Sequence, residues 1–326
     1  MKRLSAYAPV VMLVFLTVSV TWITSGQQPP APEPFQADNE YRLRTTTELV
    51  LLDVAAETSR GRTISGLTRD NFKVYEDGKL QPITSFNHDD HPVSVGLVVD
   101  QSGSMRPKQK EVLEAAVAFI RASNPQDEMF IVNFNDKASL GLPGAISFTA
   151  DINYLQNAIS SARPEGRTAL NDAVILALDH VAKGTKERKA LLLISDGGDN
   201  ASTRTELEMM NRAEEVQATI YTIGMFTDED QDRNPGLLRR LALISGGETY
   251  LPDDPTKVAG ILSHIASEIR SRYSIGYSPA RKGSAGGLRK IKVTATDEKG
   301  SHLAVHTRTR YRLPELDGSF ARQGQQ

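Results

Sequence analysis

The chain has 326 residues, enough for one large domain or two modest ones, and is 39% hydrophobic and 24% charged, the ordinary mix of a soluble globular protein. A formal net charge of −2 gives no basic surplus for nucleic acid or an anionic membrane surface. With no cysteine in the chain, disulfides, thiolate metal sites, cysteine nucleophiles and a cysteine-linked lipid anchor are all excluded.

Lys2 and Arg3 precede an apolar run over residues 10–23, which gives way to Thr24, Ser25 and Gly26. This charged, apolar, small-residue order marks an export segment. The run is short for a membrane span, which takes about 20 apolar residues. Residues 1–26 therefore read as a secretory signal peptide or an N-terminal anchor, and the protein as exported: periplasmic, cell-surface or secreted. Residues 27–40 carry Pro29, Pro30, Pro32 and Pro34 and read as an extended linker. In 41–92, short β-rich runs appear at 48–56, 72–75 and 83–86, the last two flanking a turn at Asp77-Gly78.

Residues 93–272 switch to alternation. Strands are predicted at 93–99, 129–134, 190–195 and 220–225, with a short one at 147–148. Helices are predicted at 108–122, 151–161, 169–183, 206–217, 235–244 and 255–272. Runs that are apolar throughout belong to strands buried on both faces, so the pattern implies an α/β fold with a doubly wound, mostly parallel sheet. Residues 273–313 return to strands, and 314–326 form a polar, flexible tail. Neither flank has enough strands for a stable sheet. Together they are predicted to build one flanking all-β sandwich, with the α/β domain inserted between its halves.

Ligands of such sheets sit beyond the carboxyl ends of the strands. There the first apolar strand ends in Asp100, followed by Ser102, Gly103 and Ser104. A second loop carries Gly166-Arg167-Thr168 at the start of a helix, and a third, Ser195-Asp196-Gly197-Gly198-Asp199, follows another buried strand. Asp100, Ser102, Ser104, Thr168 and Asp196 supply two carboxylates and three hydroxyls. These are hard oxygen donors, suited to Mg²⁺, Mn²⁺ or Ca²⁺ and poor for zinc or copper. Any one of the five, taken alone, reads as a cap or turn residue; five in register read as a site. Asp199 reads as a loop or capping residue, and Asp228-Glu229-Asp230 as a solvated loop.

On these residues the chain resembles the von Willebrand factor type A family, over roughly residues 93–272. The family's metal-ion-dependent adhesion motif is Asp-x-Ser-x-Ser, then a Thr, then an Asp, on three loops. The resemblance implies that Asp100, Ser102, Ser104, Thr168 and Asp196 hold Mg²⁺ (Mn²⁺ and Ca²⁺ being alternatives). It also implies that a partner protein's acidic side chain completes the coordination, and that ligand binding can shift the last helix of the domain. Arg167 stands where the family often has glycine; it either favours an acidic ligand or points to solvent. Residues 64–78, with 273–277 and 289–293, resemble the flanks of a bacterial subgroup of exported proteins related to this family.

The expected function is protein recognition through the metal, in adhesion or envelope-complex assembly. A scaffold with an unused metal site is the alternative. A metal-dependent hydrolase is disfavoured. His88 and His91 precede the first buried strand, placing them about 20 Å from its far end at 3.3 Å per residue, while His180 lies about 18 Å along a helix from Thr168. No Gly-x-Ser-x-Gly elbow occurs, and Ser102 breaks the phosphatase-type Asp-x-Asp. The export segment likewise disfavours a cytoplasmic chelatase or ATPase subunit.

Overall fold

Two periodicities in the sequence build two sheets, as seen in a computed structural model that describes residues 49–226, 232–279 and 287–312. In chain order the elements are β1 (Val50–Glu57), β2 (Phe72–Glu76), β3 (Lys79–Gln81), β4 (Ile83–Asn87), β5 (Val93–Asp100), α1 (Gln109–Ala122), β6 (Glu128–Phe134), β7 (Ala138–Leu140), α2 (Ile152–Ser160), α3 (Leu170–Val181), β8 (Arg188–Ser195), α4 (Glu206–Glu215), β9 (Thr219–Gly224), α5 (Pro235–Ser245), β10 (Thr249–Tyr250), α6 (Val258–Arg270), β11 (Tyr273–Tyr277), β12 (Leu288–Thr296), β13 (His302–His306) and β14 (Arg310–Arg312).

The central segment forms a six-stranded sheet in the order β10-β9-β8-β5-β6-β7. Its pairings are parallel except that β7 runs antiparallel to β6. All eight residues of β5 are buried, which requires cover on both faces, because alternate side chains point to opposite sides. One hydrophobic cluster joins β5, β6 and β8 to the apolar stripes of the helices, with Leu97, Ile131, Leu155, Leu178, Leu193 and Leu262 fully enclosed.

The helix boundaries follow local chemistry. The Asp151 side chain accepts from the Asn153 amide to start α2, Thr205 and Glu208 form a capping box at α4, and Pro235 opens α5. Among the described residues no helix is long and apolar enough to cross a membrane; residues 1–26 lie outside them.

The flanks interleave in one hydrogen-bonded path, β3-β2-β12-β13-β1-β11-β4, with β14 paired to β12. β1 pairs with β11 over Val50–Val54 and with β13 over Ala55–Glu57, antiparallel in both cases. The path rolls back on itself. Phe72 of β2 and Tyr273 of β11 sit apart along the path, yet their rings meet with centroids 5.0 Å apart. The Tyr277 hydroxyl of β11 likewise donates to Glu76 of β2 at 2.8 Å. A second core, including Leu52, Val54, Phe72, Val74, Ile275 and Tyr277, fills the roll. The two flanks thus share one hydrogen-bonded path folded over a common core.

Other differences are local. Asp77-Gly78 does make a hairpin turn, with both residues at positive φ, but it joins β2 to β3, and β4 pairs with β11 instead. No strand forms at 147–148; Thr149 makes only an isolated bridge to Met129. The helix expected from 108 begins at Gln109 after a 3₁₀ turn, and the one expected from 255 begins at Val258.

Candidate metal centre

The strand order places the chemistry. From β5 the chain moves outward to β6, then returns to enter β8 on the other side of β5. Strand order therefore reverses between the carboxyl ends of β5 and β8, where open α/β sheets bind ligands. Asp100 is the last residue of β5 and Asp196 the first beyond β8, so strand termination alone sets two carboxylates at that point.

Asp100 is 1% exposed. Its Oδ1 accepts from the Ser102 amide at 2.8 Å, turning the chain out of the strand, and its Oδ2 accepts from Ser195 Oγ at 2.6 Å. Burial pushes the Asp100 carboxyl up to about 6, opposed by the hydrogen bonds from Ser102 and Ser195 and reinforced by the negative charge of Asp196. Ser104 Oγ donates to Asp196 Oδ2 at 2.6 Å and lies 3.1 Å from Ser102 Oγ. The Gly198 amide holds Asp196 Oδ1 at 3.0 Å. The first and third loops are thus joined side chain to side chain.

The second loop is tied in through its backbone. The Gly103 amide donates to the Gly166 carbonyl at 3.1 Å, and the Glu165 amide to the Gln101 carbonyl at 2.9 Å. Thr168 is buried. Its amide donates to Asn200 Oδ1 at 2.9 Å, while its carbonyl accepts from the amides of Asn200 and Ala201. No hydrogen bond among the described residues takes up its hydroxyl. Arg167 pairs with Asp136 at 3.1 Å and remains mostly exposed, so its charge is engaged away from the two buried aspartates.

The donor set fits a hard dication. Asp100 and Asp196 are both buried, and among the described residues neither forms a salt bridge with lysine or arginine. Two uncompensated carboxylates at one point are costly, and a dication would balance their charge while drawing on oxygen donors alone.

Sequence reasoning passed over three residues here. Ser195 bridges Asp100 and the Gly197 amide, Asn200 fixes Thr168, and Asp136 holds the Arg167 amide and side chain. A hydroxyl at the last position of β8 was the one visible hint. Asp199 accepts from the Asn171 and Ser202 amides and so caps the start of α3. The acidic stretch 228–230 lies outside the described residues.

Three of the six histidines are committed elsewhere. His180 Nε2 meets the Ser147 carbonyl at 2.7 Å, His88 Nε2 the Ser271 carbonyl at 3.1 Å, and His91 the Asn87 side chain at 3.0 Å. Among the described residues no histidine hydrogen-bonds to any of the five site residues.

Comparison with known proteins gives a match to the von Willebrand factor type A domain over residues 95–198. The inter-alpha-trypsin inhibitor heavy chain 4 of Mus musculus is 26% identical over 198 residues, covering 55% of this chain and 21% of that protein. The chain therefore spans about a fifth of the length of that relative. Among solved structures, a von Willebrand factor type A protein from Catenulispora acidiphila aligns over 83% of this chain and 75% of its own, at 14% identity and a TM-score of 0.49. The vWF domain of the type V pili tip protein Mfa5 from Porphyromonas gingivalis aligns over 55% of this chain and 95% of its own, at 16% identity and a TM-score of 0.47.

Proposed function

The chain contains a von Willebrand factor type A domain, and from that premise we propose that it is an exported protein-binding module using a divalent metal to recognise an acidic side chain. The observation that carries the proposal is the hydrogen-bonded run from Ser102 through Ser104 to Asp196 across two loops, beside Asp100, at the reversal of strand order. Asp100, Ser102, Ser104, Thr168 and Asp196 would hold Mg²⁺, with Mn²⁺ or Ca²⁺ as alternatives. The bound ion supplies a coordination position that a partner's carboxylate can fill. The protein's part is to keep the donors fixed before the partner arrives: Ser195 orients Asp100, the Gly198 amide orients Asp196, and Asn200 clamps Thr168.

In this reading residues 93–272 are a doubly wound α/β domain inserted into a β-sandwich whose two parts are 41–92 and 273–313. Residues 1–26 direct export or anchor the chain, and adhesion or envelope-complex assembly is the role. A recognition site of this kind needs no general base, consistent with histidines whose hydrogen bonds lie away from the loops.

The test is selection of a displayed random-peptide library against the folded protein in Mg²⁺, followed by affinity measurement on the selected peptides. Selected sequences should carry aspartate or glutamate, and they should lose at least about tenfold in affinity, roughly 1.4 kcal/mol, in chelator or when that residue becomes the amide. Selected peptides indifferent to both changes would refute the reading.

A further inference from the structure

A second group of titratable side chains meets far from the three loops, where α6 passes the end of β1. Glu57, the last residue of β1, is 4% exposed, and its Oε1 has no hydrogen-bond partner. His264 Nε2 of α6 faces that oxygen at 3.9 Å, beyond hydrogen-bonding distance. Glu268, one turn further along α6 and 1% exposed, also leaves an oxygen, Oε2, without a partner. Its Oε1 accepts from Arg272 at 2.8 Å and from the Tyr221 hydroxyl at 2.9 Å. Ligand atoms of Glu57, His264 and Glu268 all lie within 4.8 Å of one another. On the other oxygen of Glu57, His306 Nε2 stands 3.7 Å away, and Glu57, Glu248 and His306 form an adjoining group of the same compactness.

Geometry, charge and donor chemistry agree on what this cluster takes. Two ligands of a tetrahedral zinc ion, each about 2.1 Å from it, stand about 3.4 Å apart, so the 3.9 Å gap between Glu57 and His264 needs only a small closure. Glu57, Glu248 and Glu268 contribute three negative charges, and the Arg272 charge acts on both Glu57 and Glu268. The surplus is two negative charges with both imidazoles neutral, and one when His306, whose pKa its pairing with Glu57 raises, carries a proton; either surplus favours a dication. Imidazole nitrogen with carboxylate oxygen suits zinc-type ions, unlike the all-oxygen set at the loops. His264, with 36% of its side chain exposed, leaves an entry path.

We propose that Glu57, His264 and Glu268 bind a zinc-type transition-metal dication, with His306 orienting the Glu57 carboxylate from its other oxygen. Such an ion ties the rolled sheet, through β1, to the last helix of the α/β region, and it involves none of the five loop residues.

The test uses the full chain stripped of metal by chelator and then held in excess Mg²⁺, titrated with Zn²⁺ by calorimetry and with Co²⁺ by visible absorption. One equivalent of Zn²⁺ should bind saturably, and Co²⁺ should show the intense visible bands of a tetrahedral site. His264→Ala, at a partly exposed position, should weaken Zn²⁺ binding by at least about 100-fold without altering the circular dichroism spectrum, and Glu57→Gln should do the same. Absence of Zn²⁺ uptake by the folded protein would overturn the proposal. So would uptake unchanged in both variants, or uptake lost in Asp196→Ala instead.

Discussion

Replacing Arg272 by methionine should cost about 3–5 kcal/mol of stability, the range for removing one partner of a buried ion pair. The guanidinium has 3% of its side chain exposed. It donates to Glu268 Oε1 at 2.8 Å, to the Tyr221 hydroxyl at 2.7 Å, and to the carbonyls of Gly246 at 2.7 Å, His306 at 3.0 Å and Asp53 at 3.2 Å. Tyr221 belongs to the central sheet, Asp53 and His306 to the rolled one, and Glu268 to α6. One side chain therefore joins three elements, and methionine fills the volume while leaving the Glu268 charge buried alone. Urea unfolding should show the loss as a lower midpoint with an unchanged slope. The double variant Arg272→Met, Glu268→Leu should recover part of it, because the two effects share one interaction. A loss below about 1 kcal/mol, within the range of an exposed ion pair, would contradict this account.

Gly246→Ala should be nearly as damaging, at about 2–5 kcal/mol, the sum of a left-handed backbone penalty and forced repacking. Gly246 ends α5 at φ +82°, and a Cβ there would stand 2.2 Å from the Arg308 amide nitrogen and 2.4 Å from the Thr307 carbonyl carbon. Both are backbone atoms of the segment that joins β13 to β14, so no rotamer change relieves the clash. Gly260, exposed within α6 with nothing near its missing side chain, is the internal control. There the same substitution should stabilise by about 0.5–1 kcal/mol through helix propensity. Equal effects at the two positions, read by thermal unfolding, would show that the contact at Gly246 is unimportant.

How far the sequence disclosed this structure depended on the range of the interactions involved. β5 and β8 announced themselves, because a strand buried on both faces must be apolar throughout. β7 and β10, of three and two residues, are too short to carry a period, and only pairing with β6 and β9 makes them strands. The sequence also indicated that the two flanks combine, but not how. β1 finds its partners in β11 and β13, more than 200 residues away, and the rolling of the path depends on contacts such as Phe72 with Tyr273. The Asp77-Gly78 turn was visible, whereas its partner strand was misjudged, since β3 is only three residues long and β4 follows it almost at once.

The loop cluster was legible for a chemical reason. Its donors sit at or just past two strand ends and at one helix start, where spacing and residue type survive in one dimension. The residues supporting them did not show, because Ser195, Asn200 and Asp136 act through side-chain hydrogen bonds between loops that no motif encodes. The cluster of Glu57, Glu248, His264, Glu268 and His306 was still less visible, its members coming from both flanks and the end of the α/β region. His264 and His306 had no evident tie to the loops, and the structure places them against Glu57 instead.

The central claim concerns the loops, and calorimetric titration of Mg²⁺ into the folded, metal-stripped protein tests it most directly, beside Thr168→Ala and Asp100→Ala variants whose circular dichroism matches the parent. The account predicts saturable uptake at one site by the parent, weakened by at least about 100-fold in either variant. A parent that takes up no Mg²⁺, Mn²⁺ or Ca²⁺, or variants that bind as the parent does, would contradict it.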